Sequence, residues 1–125
     1  TQHAQPISLG YYLLSYADVL ARDHARLAGA LAHTDVCPLG AGALTTTAFP
    51  IDREAVARML GFASVMEVAY DAVSSRDDAH EAVAAAAVAM TGLSRLATDL
   101  QSWNTMEFGF IELAPNASNM CFATN

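Results

Sequence analysis

Lysine is absent from this chain of 125 residues, and its basic residues are six arginines at 22, 26, 53, 58, 76 and 95. Without lysine there can be no Walker loop, which needs a Gly-Lys-Ser/Thr sequence to reach phosphates. Positive charge is scarce altogether. Thirteen acidic residues against six arginines give a formal net charge of −7, which opposes a phosphate backbone, so nucleic-acid binding is not expected. The only two cysteines, Cys37 and Cys121, lie far apart, with no CxxC and no histidine at ligand spacing. A structural metal site therefore has no support, and both are read as reduced thiols of a cytoplasmic protein. Long apolar runs are missing too: Ser, Thr, Asp, Arg or His interrupts every candidate stretch, so no membrane span is expected. The opening "TQHAQPISLG" has neither the basic start, the apolar run nor the cleavage site of an export signal. It also has no initiator Met, and the expectation is that the true N-terminus lies upstream.

Apolar residues, by contrast, are abundant. They make up 54% of the chain against 15% charged, more than a self-contained globule of this length usually carries, so part of that surface is expected to meet a partner.

Along the chain, Pro6 is followed by Ile7, Leu9, Tyr11, Tyr12, Leu13, Leu14, Tyr16, Val19, Leu20, Leu27 and Leu31 in three- and four-residue steps. This spacing predicts one helix over about 8–33, with Arg22, Asp23, Arg26 and His33 on its wetter side. The tyrosines are read as core or interface residues rather than a ligand-stacking set. From Pro38 to Pro50 the period disappears into "PLGAGALTTTAFP", read as a packed connector with glycines at tight turns. Asp52 then caps a short helix that runs to about Leu60 and ends on Gly61.

The dominant feature follows Ser75, where alanine, valine, leucine and methionine fill nearly every inward position through Phe108. A helix of some thirty residues, about 50 Å long, is longer than a domain of this size needs. Its first half is apolar on all sides, as in a helix buried all round within a bundle shared between subunits. Ser75 followed three residues later by Asp78 has the form of an N-terminal cap, and Asp77, Asp78 and Glu81 suit the helix dipole. Arg76 does not suit it. One reading pairs Arg76 with Asp77 or another neighbouring acid; the other makes it a bidentate clamp on a substrate carboxylate. His24, His33 and His80 are read as surface or satisfied histidines.

Together, "TQHAQPISLGYYLLSYADVLARDHARL", "PLGAGAL", "FPIDRE", "LGF", "DAVSSRD" and "LSRLATDLQSWNTMEFGFIEL" resemble, in order and spacing, the central portion of argininosuccinate lyase in the fumarase/aspartase superfamily. The resemblance covers residues 1–113 and implies an all-α fold, with residues 1–125 as a central helical-bundle domain of a larger lyase. It also implies a homotetramer with a twenty-helix core, whose active sites are each assembled from three subunits. The implied reaction is β-elimination of argininosuccinate to arginine and fumarate, without metal or organic cofactor. Gln2, Ala4, Gln5 and Pro6 match the end of the family's Thr-His-x-Gln-x-Ala-Gln-Pro motif, which places the catalytic histidine upstream and makes Gln2 a substrate-binding candidate. "SSRDD" matches the family's Ser-x-Arg-Asp signature and makes Arg76 a second.

The family's mobile loop, Gly-Ser-Ser-x-Met-Pro-x-Lys-x-Asn, aligns with "NASNMCFATN" if Met120 and Asn125 are anchors. Asn125 is then the third substrate-binding candidate. Ala117 stands at the base position and Ala123 at the lysine, and a shifted alignment offers Ser118 as the catalytic residue. Two alternatives stay open. One is a homologue that has lost catalysis and persists as a structural or regulatory subunit; the other is a superfamily lyase for a different fumarate-yielding substrate. The chain alone is not expected to fold, because its bundle face would be exposed.

Overall fold

The computed structural model describes residues 4–114. The chain divides into two compact units, Thr1–Ala89 and Met90–Asn125.

In the first unit, α1 spans Leu9–Thr34, and the Ser8 hydroxyl accepts the Tyr11 N–H at 3.2 Å to cap its start. The helix ends where Thr34 turns its hydroxyl back to the Ala30 carbonyl at 2.9 Å and Asp35 leaves helical geometry. Its better-covered line runs through Tyr12, Tyr16, Val19, Asp23 and Ala30, a heptad-like spacing. Asp23 was expected on the wet side, but it is 3% exposed. Its Oδ1 accepts from the Arg26 guanidinium at 2.6 Å, an i,i+3 pair that neutralises the carboxylate inside. The leucines that set the helical period, among them Leu13, Leu14, Leu20, Leu27 and Leu31, are exposed.

Two features had no sequence signal. Val36–Cys37 (β1) pairs in parallel with Ser64–Val65 (β2), Val36 opposite Ser64 and Cys37 opposite Val65. Strands of two residues are too short to display a period of two. Between them lies the connector, whose glycines make the expected turns: Thr46 donates its N–H to the Ala41 carbonyl at 2.8 Å, and Gly40 and Gly42 have φ of 79° and 69°. It is less packed than expected, with Ala41 buried but Leu39, Leu44 and Phe49 exposed. At Gly42 a Cβ would fall 2.4 Å from the Thr46 carbonyl oxygen, so only glycine fits that turn. Next comes α2, Arg53–Leu60, bounded as its sequence indicates. Asp52 accepts the Ala55 N–H at 2.9 Å, and Gly61, at φ 84°, closes the helix in the left-handed conformation.

The second unforeseen element is α3, Ala69–Ser74, which has no side-chain cap at Val68. It is followed by α4, Asp77–Trp103. That helix was expected to continue to Phe108 but stops at Trp103. Asn104 and Thr105 tighten into turn bonds with Gln101 and Ser102, and the chain folds back so that Phe110 N–H meets the Trp103 carbonyl at 2.9 Å. Gly109, at φ 57°, permits the reversal. The helix is therefore about 40 Å long rather than 50. By length and composition it could cross a bilayer, and only 6% of its most apolar stretch is buried within the chain. Small residues along it also suit close approach by other helices.

In the second unit, the residues after α4 close on themselves. The Asn104 side chain accepts the Leu113 N–H at 2.9 Å, and the Phe108 and Phe110 rings lie 5.7 Å apart.

Candidate functional site

Of the residues marked from sequence, Gln2, Ser118 and Asn125 lie outside the described residues, as do Ala117, Met120, Cys121 and Ala123. Arg76 is described. It sits between α3 and α4, and its carbonyl accepts the His80 N–H at 3.1 Å, the first bond of α4. Arg76 thus holds the cap position itself. This corrects the expectation that Ser75 caps the helix: Ser75 stands one residue earlier, closes α3, and directs its hydroxyl to the Asp77 carboxylate. That hydrogen bond is the leading cause of an Asp77 pKa below its ordinary 3.8, supported by the N–H groups of Asp77 and Asp78.

The Arg76 guanidinium donates to the carbonyls of Val73, at 3.2 Å, and Ser75. Among the described residues no carboxylate pairs with it, so the local ion pair is not what holds it. Both bonds use Nη1, and the remaining edge of the planar group keeps the geometry that meets a carboxylate.

Beside Arg76 is a cleft of about 190 Å³, lined by His33, Thr34, Val36, Met66, Asp71, Asp77, Asp78 and Glu81. His33 Nδ1 meets Glu81 Oε2 at 2.8 Å, tying the last turn of α1 to the start of α4. The sequence offered no partner for His33, because the two are 48 positions apart. At the opposite end of α1, Ala4, Gln5, Pro6, Ile7, Ser8 and Tyr11 line a hollow of about 640 Å³. This is the stretch that matches the end of the family's histidine motif.

The separation of these two places matters for the chemistry. The 26 residues of α1 lie between them, a length of about 39 Å at 1.5 Å per residue. Gln5 lines the hollow at the start of α1, while Asp77, next to Arg76, lines the cleft at its end.

Arg53, one of the six arginines and part of "FPIDRE", carries no local sequence signal of a role. Its guanidinium donates to the main-chain carbonyls of Leu39, Met66 and Glu67. Among the described residues no group of three or more His, Cys, Asp or Glu is arranged to hold a metal ion. Cys37 is a free thiol and wholly buried.

The sequence model of the lyase family matches residues 1–120. The chain belongs to the lyase family. Among curated proteins, this lyase-family chain is 51% identical to the argininosuccinate lyase of Leuconostoc mesenteroides, over 94% of its length and 25% of the relative's. It is 53% identical to that of Pelotomaculum thermopropionicum and 54% identical to that of Symbiobacterium thermophilum, each over 90% of its length and 24% of theirs. The chain therefore spans about a quarter of the curated relatives it matches. Among solved structures it resembles EDDS lyase in complex with formate, with a TM-score of 0.86 and 37% identity over 89% of this chain and 22% of that one. A variant of EDDS lyase with bound fumarate gives 0.83 and 36%, over 86% of this chain and 22% of that one. These matches bear out the resemblance to argininosuccinate lyase and the helical fold of the fumarase/aspartase superfamily.

Proposed function

We propose that this chain is the central segment of an argininosuccinate lyase, which cleaves a carbon–nitrogen bond by β-elimination. The observation that carries this reading is identity above one half to several argininosuccinate lyases across nine-tenths of the chain. The reaction removes a proton from the carbon beside a carboxylate, breaks the bond to the arginine nitrogen, and leaves the new double bond in fumarate. The departing nitrogen takes up a proton. A base, an acid and cationic groups that hold the developing dianion are required.

In this reading Arg76 clamps a substrate carboxylate, Gln2 and Asn125 bind substrate, and Ser118 is the candidate base. The active protein is a homotetramer with shared sites, located in the cytoplasm. The 39 Å between the two ends of α1 and the exposed leucines along it support an assembly in which different copies complete one site. The solved neighbour with bound fumarate supports chemistry that yields that product. The higher identity to argininosuccinate lyases than to EDDS lyase favours argininosuccinate over another fumarate-yielding substrate.

The test is release of fumarate from argininosuccinate by the full-length, assembled protein, followed by ultraviolet absorbance. Arg76→Ala is expected to lower kcat/KM by about 100-fold or more, the usual loss when a charge-stabilising donor is removed. A wild-type protein that binds argininosuccinate without releasing fumarate would instead fit the catalytically silent homologue that Ala117 and Ala123 suggest.

A further inference from the structure

Arg53 bonds three main-chain carbonyls at once. Its Nε donates to Leu39 O at 3.1 Å, Nη2 to Met66 O at 2.7 Å and Nη1 to Glu67 O at 3.3 Å. The acceptors belong to two segments distant in sequence: the start of the connector, and the turn that leaves β2. The same turn is tied from its other side, where Met66 N–H meets the Cys37 carbonyl at 3.0 Å.

The seat for this side chain is built into the fold. Arg53 is the first residue of α2, so the Asp52 cap holds its backbone. Gly40 leaves room for its stem: a Cβ there would lie 2.8 Å from Arg53 Cγ, and its φ of 79° already favours glycine. The flat, forked guanidinium can serve three carbonyls in one plane, whereas a lysine ammonium on its flexible stem cannot.

The consequence travels through α3. Glu67 precedes Val68, whose carbonyl opens α3 by accepting the Ala72 N–H at 3.0 Å, and α3 closes when Ser75 N–H meets the Asp71 carbonyl at 2.8 Å. Arg76 is the next residue. Because α3 is only six residues long and has no side-chain cap of its own, the carbonyls held by Arg53 are the anchor at its base.

We propose that Arg53 is a positioning residue for Arg76, fixing the base of α3 and with it the place of the Arg76 guanidinium; this rests on the reading of Arg76 as a carboxylate clamp. Arg53 touches no substrate and acts through two carbonyls and one short helix.

The experiment compares Arg53→Lys, Arg53→Ala, Arg76→Ala and the double variant Arg53→Ala/Arg76→Ala, each as the full-length assembled protein. In Arg53→Lys, exchange of the Ala72, Ser75 and His80 amides is expected to quicken about tenfold or more while amides in the middle of α1 keep their protection. Arg53→Ala should lower kcat/KM by about 10- to 100-fold, the scale of a small misplacement of a positioning group. The double variant should be no slower than Arg76→Ala, because the second loss acts through a group already removed. Unchanged exchange in Arg53→Lys, or losses that multiply in the double variant, overturns the proposal. Should Arg53→Ala fail to fold, Arg53→Lys supplies both the exchange and the kinetic comparison. A wild type that releases no fumarate sinks the lyase reading but not the Arg53 link to α3, which the exchange measurement then decides.

Discussion

The Ser75 hydroxyl donates to the Asp77 carboxylate in the first turn of α4, and this bond is the main cause that shifts the Asp77 pKa below its ordinary value. The sign of the effect follows directly. A carboxylate whose folded pKa lies below its unfolded value adds stability above the unfolded value, and that stability is lost as pH falls through the folded one. Ser75→Ala is therefore expected to lower the melting temperature at neutral pH, with the difference from wild type shrinking as pH falls below 3.8. Carbon-13 titration of the Asp77 carboxyl should show its midpoint rising in the variant. An unchanged midpoint would mean that the N–H groups of α4, and not Ser75, set the charge. Asp23 is a different kind of carboxylate at the same scale. Its Oδ1 is paired, while Oδ2 is buried with no hydrogen-bond partner among the described residues. Leaving a buried polar atom unpaired costs about 1–3 kcal/mol, and nothing in the structure explains why that cost is carried here.

Among the elements, α2 shows how a short helix is made by its two ends. Eight residues are too few to be stable on propensity alone. The Asp52 carboxylate at the start and left-handed Gly61 at the end satisfy backbone groups that would otherwise have no partner. Asp52→Ala is expected to cost about 1 kcal/mol, measured by denaturant unfolding of the assembled protein. The same variant should loosen the Arg53 seat, so exchange at the Ser75 amide should quicken with it. A variant as stable as wild type would show that the connector, rather than the cap, holds α2. The neighbouring α3 has no comparable cap, and for that reason it depends on Arg53 at its base.

For the whole molecule, the apolar faces of its long helices are the controlling feature. Along α1, Leu14 and Leu31 are 58% and 72% exposed, and along α4, Val83 and Met90 are 69% and 62% exposed. Faces of this kind on water are unfavourable at roughly 25 cal/mol per Å² of apolar surface, which association would recover. Val83→Glu combined with Val88→Glu is expected to break the assembled protein into smaller species in sedimentation, because a charge in a helix-packing face loses its water without gaining a partner. A double variant that sediments like wild type would place the interface elsewhere than on the first half of α4.

Local sequence was sufficient for whatever depends on neighbours in the chain. The period of α1, the Asp52 and Gly61 ends of α2, the glycine turns of the connector and the apolar character of α4 were all legible, since periodicity, capping and positive φ are set within a few residues. The chain's family was legible for a different reason: its motifs recur in order over more than a hundred positions. What the sequence left undecided depends on contacts across the chain or on register. Ser75 and Asp78 have the spacing of a cap, yet α4 begins one residue later because Ser75 is already committed to closing α3. Asp23 looks solvated until Arg26 turns to it. The two-residue ladder of β1 and β2, the His33–Glu81 contact and the three carbonyls of Arg53 join residues 13 to 48 positions apart, and no local pattern marks them. That the histidine-motif end and Arg76 stand at opposite ends of α1 is likewise a fact of tertiary structure, because only the folded path of the chain sets the distance between them.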